Sequence, residues 1–177
     1  AAVGGGVEDK NQKDDVVTGG KTSIAVGSLK PAQTEIIKGK AFGMAIGQLL
    51  QNNYENADLG NIVSNDNYIM DGHHRWAAIS LIDPSSKVQV TKLDLPGGPL
   101  VTTLNLYTKG KLGIDRGNKG SGNVADFTGA QFKSIIDKAL VNGIGGKYPK
   151  KPEEVKKALE LMPGANGNAQ KGKQIMM

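Results

Sequence analysis

No cysteine occurs in the 177 residues. Disulfides, zinc–thiolate sites and iron–sulfur clusters are excluded with it. Histidine is nearly as scarce: the chain has two, adjacent at His73 and His74. Neighbouring side chains on a helix point about 100° apart, so such a pair rarely shares one ion. With no third imidazole, no metal held by these histidines is expected. No apolar run approaches the roughly 18 residues of a membrane span, and Ala1-Ala2-Val3-Gly4 does not open a signal peptide. No membrane partner is expected. Position 1 also lacks methionine, which suits either a product of proteolytic processing or an artificial start. Apolar residues, at 38%, are fewer than usual, whereas 25 glycines are roughly twice the ordinary share. This composition implies one compact core, with a small appended subdomain and flexible ends and loops. A net charge of +5 and an isoelectric point near 9.3 permit an anionic partner without naming one.

What chemistry the chain does carry concentrates between Asn65 and Ala78, N-D-N-Y-I-M-D-G-H-H-R-W-A-A. Two short apolar runs, G-N-I-V-S and Y-I-M, flank the turn-formers Asn65, Asp66 and Asn67, which is a hairpin signal. Trp76, Ala77, Ala78, Ile79, Leu81 and Ile82 then form the buried side of a helix that Pro84 ends. Gly72 supplies the corner between strand and helix. His73, His74 and Arg75 fall in the first helical turn, where free N–H groups and the positive end of the dipole favour an anion. A guanidinium there gains nothing from the dipole, so it implies an anionic partner, either a phosphate or a carboxylate of the protein itself. Asp71 is expected to fix the corner, and Trp76 to join the core.

Outside this stretch the signals are plainer. Residues 1–22 are Gly-rich and then charged, without periodicity, and read as a flexible N-terminal arm. Gly20-Lys21-Thr22 fails as a phosphate-binding loop, because Asp15 stands where the first glycine is required. Ile24-Ala25-Val26 is a short strand. Pro31 is placed to open a helix over 32–50, with Glu35 in its first turns and Gly39, Gly43 and Gly47 forming a flat face against the sheet. Residues 87–93 alternate as a half-buried strand, and 100–107 could be strand or helix, its Thr, Val and Leu favouring a strand by propensity. The Gly/Lys-rich stretch 109–125 reads as a solvated loop. A helical extension over 126–163 follows, capped by Asp126 or Thr128 and built from helices at 129–141 and from Pro152 onward. Its roughly ten-residue connection is too long for a helix-turn-helix. Residues 164–177 read as a flexible basic tail.

The motif Asp71-Gly72-His73-His74-Arg75, followed by Ala78, resembles the D-G-H-[HR]-R-x-x-A signature of the ParB/sulfiredoxin-like superfamily. Ser28-Leu29-Lys30-Pro31-Ala32-Gln33 resembles the L-x-P-x-Q stretch that opens those domains. The resemblance covers roughly residues 24–107 and implies a ParB-like domain over 23–108. The implied fold class is α+β, a small mixed sheet packed with helices, followed by the C-terminal helical extension. The superfamily includes CTP-binding DNA-segregation clamps, nucleotide-dependent serine kinases, proposed nucleases and sulfiredoxins. The last branch is closed here for want of cysteine. In ParB-like proteins the motif contacts nucleotide phosphates, and the resemblance carries that role to Gly72, His73, His74 and Arg75. The kinase members use an acidic residue as catalytic base, a role the resemblance carries to Glu35, with His73 as the other candidate base. The implied cofactor is a nucleotide, CTP or ATP/ADP, with Mg²⁺.

Three functions compete on this reading. The first is a phosphate- or nucleotide-binding domain, with nucleotide hydrolysis or phosphoryl transfer at the Asp71–Arg75 corner. The second is a non-catalytic assembly protein, such as a processed phage virion component, in which Arg75 pairs with Asp71, Asp66 or Glu35. The third is nonspecific DNA binding or nuclease activity through the 109–123 loop and the basic tail. The corresponding location is a bacterial host cytoplasm or a phage virion.

Overall fold

The computed structural model describes residues 18–113, 129–146 and 149–177. The arm expected before residue 18, the part of the expected 109–125 loop beyond Gly113 and the caps expected at Asp126 and Thr128 lie outside these residues; residues 109–112 of that loop are instead the last turn of a helix. The described chain is α+β. Strands β1 (Gly19–Ala25), β2 (Lys30–Pro31), β3 (Ala57–Val63), β4 (Tyr68–Asp71) and β5 (Lys87–Leu93) form one sheet in the order β1-β5-β3-β4-β2. The sheet is mixed: β1 runs antiparallel to β5 and β3 to β4, while β5 is parallel to β3 and β2 to β4. Helices α1 (Lys38–Gln51), α2 (His73–Ile82), α3 (Gly97–Leu112), α4 (Gly129–Asn142), α5 (Pro152–Glu160) and α6 (Ala169–Met176) complete it.

The hairpin expected around Asn65–Asn67 is β3–β4. Asp66 fastens its turn to the start of α3, accepting the Gly97 N–H at 2.9 Å and the Ser64 hydroxyl at 2.5 Å. Helix α2 starts at Gly72 (φ 101°) and ends just ahead of Pro84, and β5 occupies the alternating segment 87–93. The first long helix differs from expectation. Pro31 belongs to β2, residues 32–37 run as an extended strap, and α1 starts only at Lys38. The strap leaves the helix because His73 and His74 bind its N–H groups, as described below. The expected glycine face is corrected for two of its three members: Gly43 is buried, but a Cβ on Gly39 or Gly47 would meet nothing within 4 Å, so neither of those lies against the sheet. Phe42, Ile46 and Leu49 pack there instead. Burying each such side chain contributes about 1.5–3 kcal/mol.

The chain's end is the largest correction. The tail expected to be flexible over 164–177 contains α6, capped by Asn168, whose side chain accepts the Lys171 N–H at 3.0 Å. Ala165 and Met176 are buried in the same cluster as Phe42, Ile69, Ile136 and Leu159, so the helical extension and the sheet share one core. Gly172 lets α6 close on α5: a Cβ there would lie 2.7 Å from the Leu159 carbonyl carbon. Lys173, 7% exposed, is paired with Asp137 of α4, which also binds Lys133 at 3.0 Å. The strand at the other end is likewise longer than expected, since Gly19–Thr22 are part of β1 rather than of an arm.

Candidate functional site

Beside the α2 corner lies a cleft of about 230 Å³ lined by Gln33, Lys40, Met44, Asp71, Gly72, His73, His74 and Arg75. Four of the predicted site residues, Gly72 to Arg75, therefore meet at one cavity. Glu35 is not among the lining residues; it sits half-buried on the strap, next to the fully buried Ile36.

The corner's geometry follows from β3. The register of β3 against β5 slips between Asp58 and Asn61, with Gly60 at φ 69°, and the slip re-aims the strand. It presents the Gly60 carbonyl and the buried Asn61 side chain to α2. Arg75 Nε donates to Asn61 Oδ1 at 3.2 Å, and its Nη2 donates to the Gly60 carbonyl at 3.2 Å and to Asp71 Oδ2 at 3.0 Å. Of the three carboxylates weighed as partners, Arg75 thus takes Asp71. Its Nη1 group makes no hydrogen bond among the described residues. Only glycine fits at 72: φ is 101°, and a Cβ would stand 2.8 Å from Asn61 Cγ. One cost remains in place, since the buried Asn61 Nδ2 has no partner among the described residues.

The histidines do something the sequence does not announce. His73 Nε2 accepts the N–H groups of Ala32 and Gln33 at 3.1 and 3.2 Å, and His74 Nε2 accepts that of Ile37 at 3.0 Å. Accepting at Nε2 requires each ring to be neutral with its proton on Nδ1. Burial lowers the His73 pKa from 6.5 to about 4; Asp71 opposes this and His74 reinforces it. His74 is also lowered, first by burial, then by the Lys40 and Arg75 charges. The role of general base is accordingly corrected for His73: it is 4% exposed and its basic lone pair is already shared by two N–H groups.

The cleft also collects backbone donors and a lysine. The first α2 backbone bond runs from Trp76 N–H to the Gly72 carbonyl, so the N–H groups of His73, His74 and Arg75 have no partner within the helix. Because His74 holds the N–H of Ile37, the residue that precedes α1, the starts of α1 and α2 abut. Lys40, in the first turn of α1, makes no ion pair among the described residues. Lys40, Gln33, Met44 and Asn61 are site residues that sequence reasoning missed. Nothing in the sequence announced Lys40, because a helix read from residue 32 puts it beyond the first turn; only the later start of α1, at Lys38, brings it there. No group of three or more His, Asp or Glu suited to a metal occurs among the described residues, and no described helix is long and apolar enough to cross a membrane.

No family model and no curated protein matches the chain. Among solved structures it is similar to a Pnob8-like ParB-N domain, with 13% identity and a TM-score of 0.38, over 90% of this chain and 69% of that one.

Proposed function

We propose that the α2 corner binds the phosphate end of a nucleotide, CTP or ATP/ADP accompanied by Mg²⁺. The observation that supports this is that one cleft is lined by the residues of the α2 start, whose N–H groups have no partner within the helix, and by Lys40. Arg75 offers an unused Nη1 edge that matches phosphate oxygens, and the N–H groups supply further donors. At about 230 Å³ the cleft is smaller than the roughly 300–1,000 Å³ of sites that enclose a whole small ligand, so it fits phosphates and leaves the nucleoside outside. Magnesium would arrive on those phosphates. Phosphoryl transfer or hydrolysis would need a base other than His73; Glu35 would have to move to the cleft to serve.

The test is a thermal-shift and calorimetry screen of CTP, ATP, ADP and GTP with Mg²⁺ on wild type and Arg75→Ala. A nucleotide that raises the melting temperature of wild type but not of the variant is the expected result. No shift with any nucleotide in folded wild type overturns the reading.

A second reading, a non-catalytic assembly protein such as a virion component, is favoured by a different observation. Arg75 already ties Gly60, Asn61 and Asp71 together, and both histidines already brace the strap. The DNA-binding or nuclease reading loses Lys173 as a free cation, because that side chain is buried and paired.

A further inference from the structure

The charges around the cleft do not balance. Arg75 is matched by Asp71 at 3.0 Å, and both histidines are neutral acceptors, so Lys40 is the uncompensated side-chain charge among the lining residues. Two abutting helix starts add roughly half a positive charge each. The sum is about +2, one from Lys40 and about one from the dipoles. Lys40 is also held where its own helix disfavours it, and it forms no ion pair with a carboxylate among the described residues.

Building on the phosphate reading, we infer that the ligand end is a dianion, a phosphate monoester or terminal phosphate rather than a phosphodiester. Lys40 is its principal charge partner. Arg75 contributes less net attraction, because a phosphate approaching it must share or displace Asp71. That exposed ion pair is weak and yields readily, but its carboxylate still repels the incoming anion. Counted for the phosphate end without its Mg²⁺, a dianion neutralises the cleft and a diester leaves about one charge unmet. The small volume points the same way, since a terminal phosphate enters end-on and a diester must run through with an ester arm on each side.

The probes are inorganic phosphate and dimethyl phosphate, titrated at pH 8 into wild type, Lys40→Met, Arg75→Ala and Asp71→Asn, with melting curves to verify folding. Lys40 is on the surface turn of α1, so its variant keeps the core intact. Inorganic phosphate is expected to bind wild type at least tenfold more tightly than dimethyl phosphate. Lys40→Met should lose at least tenfold in phosphate affinity, Arg75→Ala less, and Asp71→Asn should gain. Wild-type affinity in Lys40→Met, alongside loss in Arg75→Ala, overturns the Lys40 assignment and leaves the phosphate site standing. Equal binding of the two probes overturns the dianion assignment. Absence of phosphate binding in all four proteins overturns both this inference and the reading beneath it.

Discussion

Gly72 and Gly172 solve the same steric problem in two unlike places. Each lets a helix approach a neighbour that a Cβ would strike, the Asn61 side chain at one and the Leu159 backbone at the other. Around Gly172 the fit is completed by apolar neighbours and one buried ion pair, and the junction is closed. Around Gly72 the close approach delivers polar groups instead: an arginine clamped on one edge, a buried amide nitrogen without a partner, and a cleft. Packing is the purpose of the first junction. At the second, the close approach leaves donors and charge beside a cleft.

The comparison breaks most readily at Gly72. Gly72→Ala combines a left-handed backbone with a collision, and a loss of about 3 kcal/mol or more is expected by chemical denaturation. An unchanged midpoint would mean the corner relaxes without help from glycine.

Acid should then open a difference between the two junctions. The His73 pKa is depressed from 6.5 to about 4 in the folded state, so the unfolded chain binds the extra proton between those values. The stability associated with neutral His73 is therefore complete above about pH 6.5 and declines as pH falls toward 4, by about 3 kcal/mol in all. His74 adds in the same direction. Urea midpoints measured from pH 7.5 to 4 should show this slope in wild type and a much shallower one in His73→Gln, and parallel slopes would refute the bracing role.

Gly172→Ala should cost about 1–3 kcal/mol, the ordinary range of overpacking, and release α6 from α5 without touching the cleft. Hydrogen exchange would report the release as faster amides across 169–176 alone. The smallest effect has the opposite sign. Gly39→Ala and Gly47→Ala put a methyl into open space on α1, and each should stabilise by about 0.5–1 kcal/mol in thermal unfolding.

How legible was this in the sequence? The hairpin, α2, β5 and the helices near 129–141 and after Pro152 follow from local patterns that tertiary contacts did not override, whereas 100–107, whose propensity favours a strand, folds within α3. The strap over 32–37 was illegible, because its apolar residues satisfy a helical period and its true partners are two imidazoles some 40 positions away in sequence, the separation from Gln33 to His73. Helix α6 was missed for a different reason. Ala165, Ala169, Gly172 and Met176 have helical spacing, but three of the four are too small to register as an apolar stripe, and their burial depends on how closely α5 can approach. At the cleft, the 71–75 motif picks out residues that line one cavity, but it does not announce the hydrogen bonds of His73. The residue type announced a titrating side chain; the two N–H groups it serves come from a segment that local reasoning placed inside a helix.

The mixed sheet described above leaves two rims. One is β2, which is two residues long, too short to recruit a passing strand. The other is β1, whose outer half, Gly19-Gly20-Lys21-Thr22-Ser23, offers two glycines, a lysine and two hydroxyl residues but no large apolar side chain. Rims so built give a stray β-segment little to hold, which guards against edge-to-edge aggregation. For a protein at high local concentration, that makes the sheet a poor template for its own polymerisation, and any assembly it joins must use another surface.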